Sequence, residues 1–370
     1  MSFDDSCKGI LILSLIFLST AVLTAGSLPA DGEVKAGGAE SKFDLDSYLA
    51  RAIDRSRAIE DRRLLVDKNR VELEKREAEQ EVDPSPLLLR SEKLELDLSQ
   101  QRLKRTIEEK ISKYLRDFLE YLELKELFEL HEEYVELFQA ELKRIEDMYR
   151  EGKVTSADVL QAEVELRAAE NNLKKTLNEL ENQEFVLAKN LQLRAEEELE
   201  IQHSKKAFPE LKITKEFSEL LEAARDNRLE IEESRAEREL AKIDLQLAES
   251  SYRPDLEEEV AEVECRKTKN EVGRTVDEIE VEVSSAYARA KNTKEDVLTV
   301  EKQIESQEEM VRINSLFLEE EYITGIEFLD TQVDLYEREI DEISSRIESL
   351  MAAVELYLAT GELKEMFDHE

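Results

Sequence analysis

Apolar residues recur along this chain at helical spacing, in a few very long runs. Leu103, Ile107, Ile111, Tyr114, Phe118, Leu122, Tyr134, Phe138, Leu142 and Ile145 fall three to four positions apart or at multiples of a turn, the period of one helix face. They predict a helix from about Leu87 to Tyr149, on the order of 90 Å long. A helix of that length cannot fold back on a compact core and must lie along other helices. A second run, Ser156 to Gln202, carries Leu166, Leu173, Leu180 and Leu187 at intervals of seven, with Leu177 and Leu191 on the adjoining seam, which predicts coiled-coil-like packing. Before these, Leu45, Leu49, Ile53, Ile59, Leu64, Val71 and Leu73 predict a helix from Phe43 to Val82, capped by Asp44 or Asp46 and broken by Pro84 and Pro86. Pro209 closes this half. The order then repeats, with a capped start at Thr214, a helix through Leu220, Leu221, Ile231, Leu240, Ile243 and Leu247, and a break at Pro254. A long helix from about Glu257 to Tyr322 and a last one to about Leu358 complete it.

Two turns punctuate the pattern. Met148–Ala162 and Glu321–Val333 each stop a helix at Tyr-x-x-Gly, Tyr149 with Gly152 and Tyr322 with Gly325, and start another within a few residues. Glycine accepts the left-handed conformation in which helices end, and Ser, Thr and Asp cap the helix that follows, so both read as tips of helical hairpins. Ile59 and Ile231 are 172 apart, Pro84 and Pro254 are 170, Tyr114 and Tyr287 are 173, and Gly152 and Gly325 are 173, which indicates an internal duplication. The fold expected is all-α, two tandem long helical hairpin repeats with little or no β. The divisions are 1–26 for a signal or anchor, 27–42 for a linker, 43–208 for the first repeat and 209–370 for the second. With Gly325 matched to Gly152, Leu329, Asp330 and Thr331 follow their glycine by only four to six positions, so the second tip reads as short by one turn.

Composition agrees. Charged residues make up 38%, with 9 Gly, 5 Pro and no Trp, the profile of a mostly helical chain. The 90 acidic against 52 basic residues, net charge −38, exclude a duplex-binding surface, which needs clustered Lys and Arg to displace counterions from phosphates. Residues 9–25 form an apolar run after Lys8 and before Ala25, Gly26 and Ser27. That is the layout of a secretory signal, or of an N-terminal anchor if cleavage fails. Cys7 precedes the run, where no lipid-modified cysteine could lie, and Cys265 is the one other cysteine. The three histidines, His131, His203 and His369, form no His-x-x-x-His pair. Phosphate loops and nucleophile elbows are also missing, so no enzyme activity and no cofactor are expected. His131, amid Leu127, Phe128, Leu130 and Tyr134, reads as a packing residue before a ligand.

Phe43–Val82 resembles the opening of the TolC-like outer-membrane efflux proteins, and Leu211–Leu256 resembles the same element in that family's second repeat. Tyr149, Gly152, Thr155, Asp158, Leu160 and Ala162 fit the family's Y-x-x-G-x-x-[ST]-x-x-[DE]-x-L-x-A turn. The resemblance implies a homotrimer in which twelve helices form a periplasmic tube and four strands per chain complete a membrane barrel. It also implies a membrane-fusion adaptor and an inner-membrane transporter as partners at the tips, and an exported, periplasmic or outer-membrane-associated location. Two departures follow from the residues. The family's strand pairs follow the prolines, yet Pro84–Tyr114 and Pro254–Tyr287 leave little room for them and DLEEEVAEVECRKTKNEVGRT is too charged to face lipid. Leu94, Leu96 and Leu98 fit half a strand or a helix face. At the second tip Glu327 and Asp330 fall where the family carries acidic residues lining the entrance; as a trimer they would form a ring of carboxylates, and otherwise they are acids favoured at a helix start. The function implied is an exit-duct component of an efflux or secretion system. The alternative is a coiled-coil scaffold of the envelope without transport. Gly152 is the better candidate for partner contact.

Overall fold

A computed structural model describes residues 41–79, 84–193, 199–201, 215–250 and 255–363. The signal or anchor, the linker up to residue 40, the 208/209 boundary, Thr214, Pro209 and Pro254 lie outside them. Eight helices occur among the described residues. They are α1 (Leu45–Asp54), α2 (Arg57–Glu79), α3 (Pro86–Arg150), α4 (Ser156–Asn190), α5 (Phe217–Asn227), α6 (Leu229–Ser250), α7 (Asp255–Glu319) and α8 (Gly325–Ala359). Two three-residue strands, β1 (Ser41–Phe43) and β2 (Leu199–Ile201), pair in parallel, Phe43 against Ile201. The fold is all-α with a vestige of β, as the periodicity predicts. α3 begins at Pro86, where proline's fixed φ and missing N–H suit a first helical turn, and Leu94, Leu96 and Leu98 are helical within it.

The duplication is sharper in the structure than in the sequence. α3 and α7 are both 65 residues, and α4 and α8 are both 35. Their starts differ by one shift, since 255 − 86 and 325 − 156 both equal 169. Earlier in the repeats the shift is 172, as in 229 − 57. The pairing of Tyr114 with Tyr287 is thereby corrected. In this register Tyr114 matches Val283 and Phe118 matches Tyr287, and Tyr114, Phe118 and Val283 are all buried.

The single helices expected over 43–82 and through Leu220–Leu247 are each broken by a corner. In the first, Asp44 caps α1 through a capping box, Ser47 N donating to Asp44 Oδ1 at 2.9 Å and Asp44 N to Ser47 Oγ at 3.0 Å. α1 ends at Asp54 with Arg55 as its C-cap, and α2 restarts after the buried Ser56, whose carbonyl accepts from the amides of Ile59 and Glu60. The second corner is at Arg228. Ile59 and Ile231, just past the two corners, are fully buried. The two corner arginines do equivalent work, 228 − 55 being 173. Arg55 Nη1 donates to the carbonyls of Leu191 and Gln192 at 3.2 Å each, and Arg228 Nη1 donates to the carbonyl of Ala359 at 2.9 Å. Each cation therefore satisfies orphan carbonyls at the C-terminal end of its own repeat's last helix, where the helix dipole favours positive charge.

The described residues gather into two compact units. One takes its residues from Met1–Leu115, Asn190–Tyr287 and Val354–Glu370, the other from Arg116–Lys189 and Ala288–Ala353. Each unit draws on both repeats. The second holds the hairpin tips. Its core is Tyr134, Val135, Phe138, Ile145, Ala162, Ala169, Leu329 and Tyr336, with Leu166 and Leu173 packed against it. Leu180 and Leu187 continue this seam as buried residues, whereas Leu177, read as part of the adjoining seam, is exposed. α4 stops at Asn190, well short of the Gln202 expected.

Candidate functional site at the hairpin tips

The first tip is built by a helix end and a helix start. Gly152, at φ 76°, closes α3: its amide donates to Tyr149 O at 2.9 Å and the Lys153 amide to Met148 O at 2.9 Å, the crossed pattern of a left-handed C-terminal cap. α4 then starts on a reciprocal cap in which Thr155 N and Oγ1 donate to Asp158 Oδ2 at 2.7 and 3.0 Å, and Asp158 N donates to Thr155 Oγ1 at 3.4 Å. Of the residues singled out in the sequence, Gly152, Thr155 and Asp158 thus form the turn, and Tyr149 stands half-exposed on it.

The second tip has lost nothing. Thr324 N and Oγ1 donate to Glu327 Oε2 at 2.7 and 3.0 Å, and Glu327 N donates to Thr324 Oγ1 at 3.3 Å, a copy of the first cap at the same shift of 169. The missing turn was an error of register. Gly325 is the first residue of α8 and corresponds to Ser156, not Gly152. A methyl group on it would lie 3.2 Å from Ile145 Cγ1 and 3.3 Å from Met148 Sδ, so this glycine serves the close approach of α8 to the end of α3. The residue that matches Gly152 is Glu321, at φ 57°. Its amide donates to Leu318 O at 3.1 Å and that of Tyr322 to Phe317 O at 2.8 Å, repeating the first cap without the glycine.

Glu327 is therefore a capping acid. The Thr324 amide and then its hydroxyl hold its carboxylate below the usual range. Asp330, three residues on, accepts from Gln161 Nε2 at 3.1 Å. Burial, then Asp334, pushes its carboxyl up, partly offset by Gln161. Gln161 and Asp330 are the same position of the two repeats, 330 − 161 being 169. Lys153 Nζ meets Glu321 Oε1 at 3.2 Å, so two polar contacts tie the tips of the repeats together. Sequence reading missed Lys153, Gln161 and Glu321. The signal available was the Thr-x-x-acid box, present as Thr155–Asp158 and Thr324–Glu327, which sets the register where the glycines mislead.

A left-handed non-glycine residue carries roughly 1 kcal/mol of backbone strain. Glu321→Gly is expected to stabilise the second tip by about that amount, because the exposed pair with Lys153 contributes little. Gly152→Ala is expected to cost the first tip about 1 kcal/mol from φ alone, since a methyl there meets no atom within 4 Å. Urea melts followed by circular dichroism read both, and equal stability of all three proteins would refute the assignment.

Behind the tips, His131 is buried as expected of a packing residue. Its Nδ1 is hydrogen-bonded to the Tyr336 hydroxyl at 2.6 Å, and Asn172 Nδ2 donates to the same hydroxyl at 3.5 Å. Tyr134 stacks on Tyr336 with ring centroids 4.5 Å apart and bonds Glu339, whose carboxyl burial pushes up. Burial lowers the pKa of His131. The unfolded chain then takes up this proton first as pH falls, so the stability held above pH about 6.5 is lost from there downward. His131→Gln should flatten that loss in melts run between pH 7.5 and 5; an unchanged pH dependence would remove His131 from the account.

No protein-family profile and no curated protein matches the sequence. Among solved structures the fold is unambiguous: it is that of the protomer of the TolC-family outer-membrane efflux channels. The channel protein CusC superposes with a TM-score of 0.74 at 11% identity, covering 86% of this chain and 92% of that one. A membrane protein of Pseudomonas aeruginosa gives 0.74 at 13%, covering 92% and 96%. The outer membrane protein VceC of Vibrio cholerae gives 0.67 at 13%, covering 86% and 96%. No described helix is long and apolar enough to cross a membrane.

Proposed function

We propose that this chain is the exit-duct component of an envelope efflux or secretion system, working as an extracytoplasmic helical tube of three copies. The observation that carries the reading is the extent of the fold match, most of both chains against proteins described as outer-membrane channels. In this reading the hairpin tips dock a membrane-fusion adaptor and, beyond it, an inner-membrane transporter. Tyr149, Gly152, Thr155 and Asp158 form one docking turn. Tyr322, packed edge-on against Phe317 with centroids 6.1 Å apart, presents the other, with the buried Gly325 behind it letting α8 approach the end of α3. Glu327 and Asp330 supply acidic positions for the entrance. In this reading the chain divides into the paired repeats 43–208 and 209–370, with 1–26 as an export signal or N-terminal anchor and 27–42 as a linker.

The test is a deletion strain challenged with dyes and detergents, with negative-stain microscopy of the purified protein beside it. The duct reading expects raised sensitivity or lost secretion, restored by the wild-type gene, and discrete hollow trimers. Unchanged sensitivity and secretion would favour the scaffold instead, and a monodisperse monomer at micromolar concentration would end the duct reading.

A further inference from the structure

The stretches in which the family resemblance puts membrane strands are helix in this chain. That resemblance places one strand pair after Pro84 and another after Pro254, yet α3 starts at Pro86, α7 starts at Asp255, and each runs for 65 residues. The connections that remain are short. α2 ends at Glu79 and α6 at Ser250, which leaves residues 80–85 and 251–254 to join them to α3 and α7. A membrane strand takes about 9 to 11 residues, so a pair with its turn takes roughly 20, and neither connection is long enough for one. The longest interval between described residues, 202–214, has 13 positions and is again too short for a pair. The helices also lie against each other beside these connections. Lys93 on α3 meets Glu77 on α2 at 3.8 Å, and Asn69 Nδ2 donates to Glu95 O at 3.3 Å; Arg228, next to the start of α6, meets Glu282 on α7 at 3.0 Å.

We propose that residues 41–363 line no membrane pore: the duct stops, outside the bilayer, where α2 passes to α3 and α6 passes to α7. A crossing, where the machine makes one, is then lined by a different polypeptide. In hydrocarbon a backbone is satisfied only as an apolar helix or a closed barrel. The helix heads cannot enter lipid in place of strands, because exposed charge begins close to their starts. Arg90, Lys93 and Glu95 stand on α3, and Glu257, Glu258, Glu259 and Glu262 on α7. Charged side chains facing lipid are strongly disfavoured. The inference deepens the duct reading and rests on it for the tube; the case against strands rests on the helical course of α3 and α7 alone.

The experiment expresses the full chain in a bacterium with an outer membrane, with a site-specific protease sequence inserted between Gly37 and Gly38, so that attachment through the apolar run 9–25 can be cut away after folding. Isolated envelopes are cut, washed in alkaline carbonate and floated on sucrose, beside a strand-bearing channel of the same fold. The proposal expects the cut chain to leave with the wash while the strand-bearing channel floats with the membranes. It also expects the full chain, purified in detergent and then cut, to keep its helicity and stay in solution once the detergent is removed. A cut chain that still floats with the membranes after carbonate, or that precipitates when detergent is withdrawn, overturns the proposal. Either failure leaves the duct reading standing, since that reading is tested separately by the deletion strain.

Discussion

Arg228→Ala is expected to destabilise the fold by about 3–5 kcal/mol, the range for removing one partner of a buried ion pair. The guanidinium is buried and makes four contacts. Two go to Glu230 at 2.9 Å each, one to Glu282 at 3.0 Å and one to the carbonyl of Ala359 at 2.9 Å. Burial opposes its charge, yet Glu230 and Glu282 more than offset that and raise its pKa; Glu230 is correspondingly held below its usual value, the pull of Arg228 outweighing burial. Alanine would leave the Glu230 carboxylate with only Arg105, 3.7 Å away, and would remove the donor from the Ala359 carbonyl. Arg55→Ala is the control. The equivalent arginine is exposed and its guanidinium donates to the carbonyls of Leu191 and Gln192, while the bond from Gln192 Nε2 goes to its backbone carbonyl and survives the substitution, so about 1 kcal/mol is expected. Arg228→Lys should fall between, because an ammonium cannot reproduce the two-point pairing with Glu230. Denaturant midpoints decide it, and an Arg228→Ala loss no larger than that of Arg55→Ala would show that the corner is not held by this cation.

Phe138→Ala should cost the hairpin unit about 3–5 kcal/mol. Phe138 is nearly fully buried and meets Tyr134 and Tyr336 edge-on, with centroids 5.6 and 5.9 Å away. Those two tyrosines carry the hydroxyls that bond Glu339 and His131, so the cavity would loosen a polar network as well as a packed one. Phe138→Leu keeps most of the volume and is expected to cost under about 2 kcal/mol. Limited trypsin digestion offers the local readout. Cleavage at Arg150 and Lys153 should quicken in the alanine variant and little in the leucine one; equal rates would mean that the tips do not depend on this core.

The long elements were legible because their signals are local. Pro84, Pro86 and Gly152 mark ends, and the heptads of α4 mark a buried seam, so α3 and α4 start within a residue of where the pattern puts them. The corners at Arg55 and Arg228 were not legible, because neither contains proline or glycine and both sit inside unbroken helical periodicity. Their cause is the distant C-terminal end of another helix, which a local pattern cannot contain. The second tip misled for the opposite reason. Gly325 advertises a left-handed end but is used for close packing, while the conformation itself falls to Glu321, whose side chain gives no sign of it. Tyr149 and Tyr322 are exposed, and neither periodicity nor capping chemistry specifies what meets an exposed side chain.

Among the described residues, the four left-handed residues at helix ends make two matched pairs at the shift of 169. Gly152 matches Glu321 at the tips, and Gln192 at φ 50° matches Gly361 at φ 70° at the ends of the last helices. In each repeat glycine relieves one end and a side chain strains the other, at opposite ends in the two repeats. A methyl on Gly361 would also come within 2.9 Å of Asn227, so that glycine cannot be traded away. Local opening should therefore begin from different ends in the two halves of one duplicated chain. Amide hydrogen exchange should be fastest near Gln192 in the first repeat and near Glu321 in the second, giving a polarity of breathing that the near-identical helix lengths conceal.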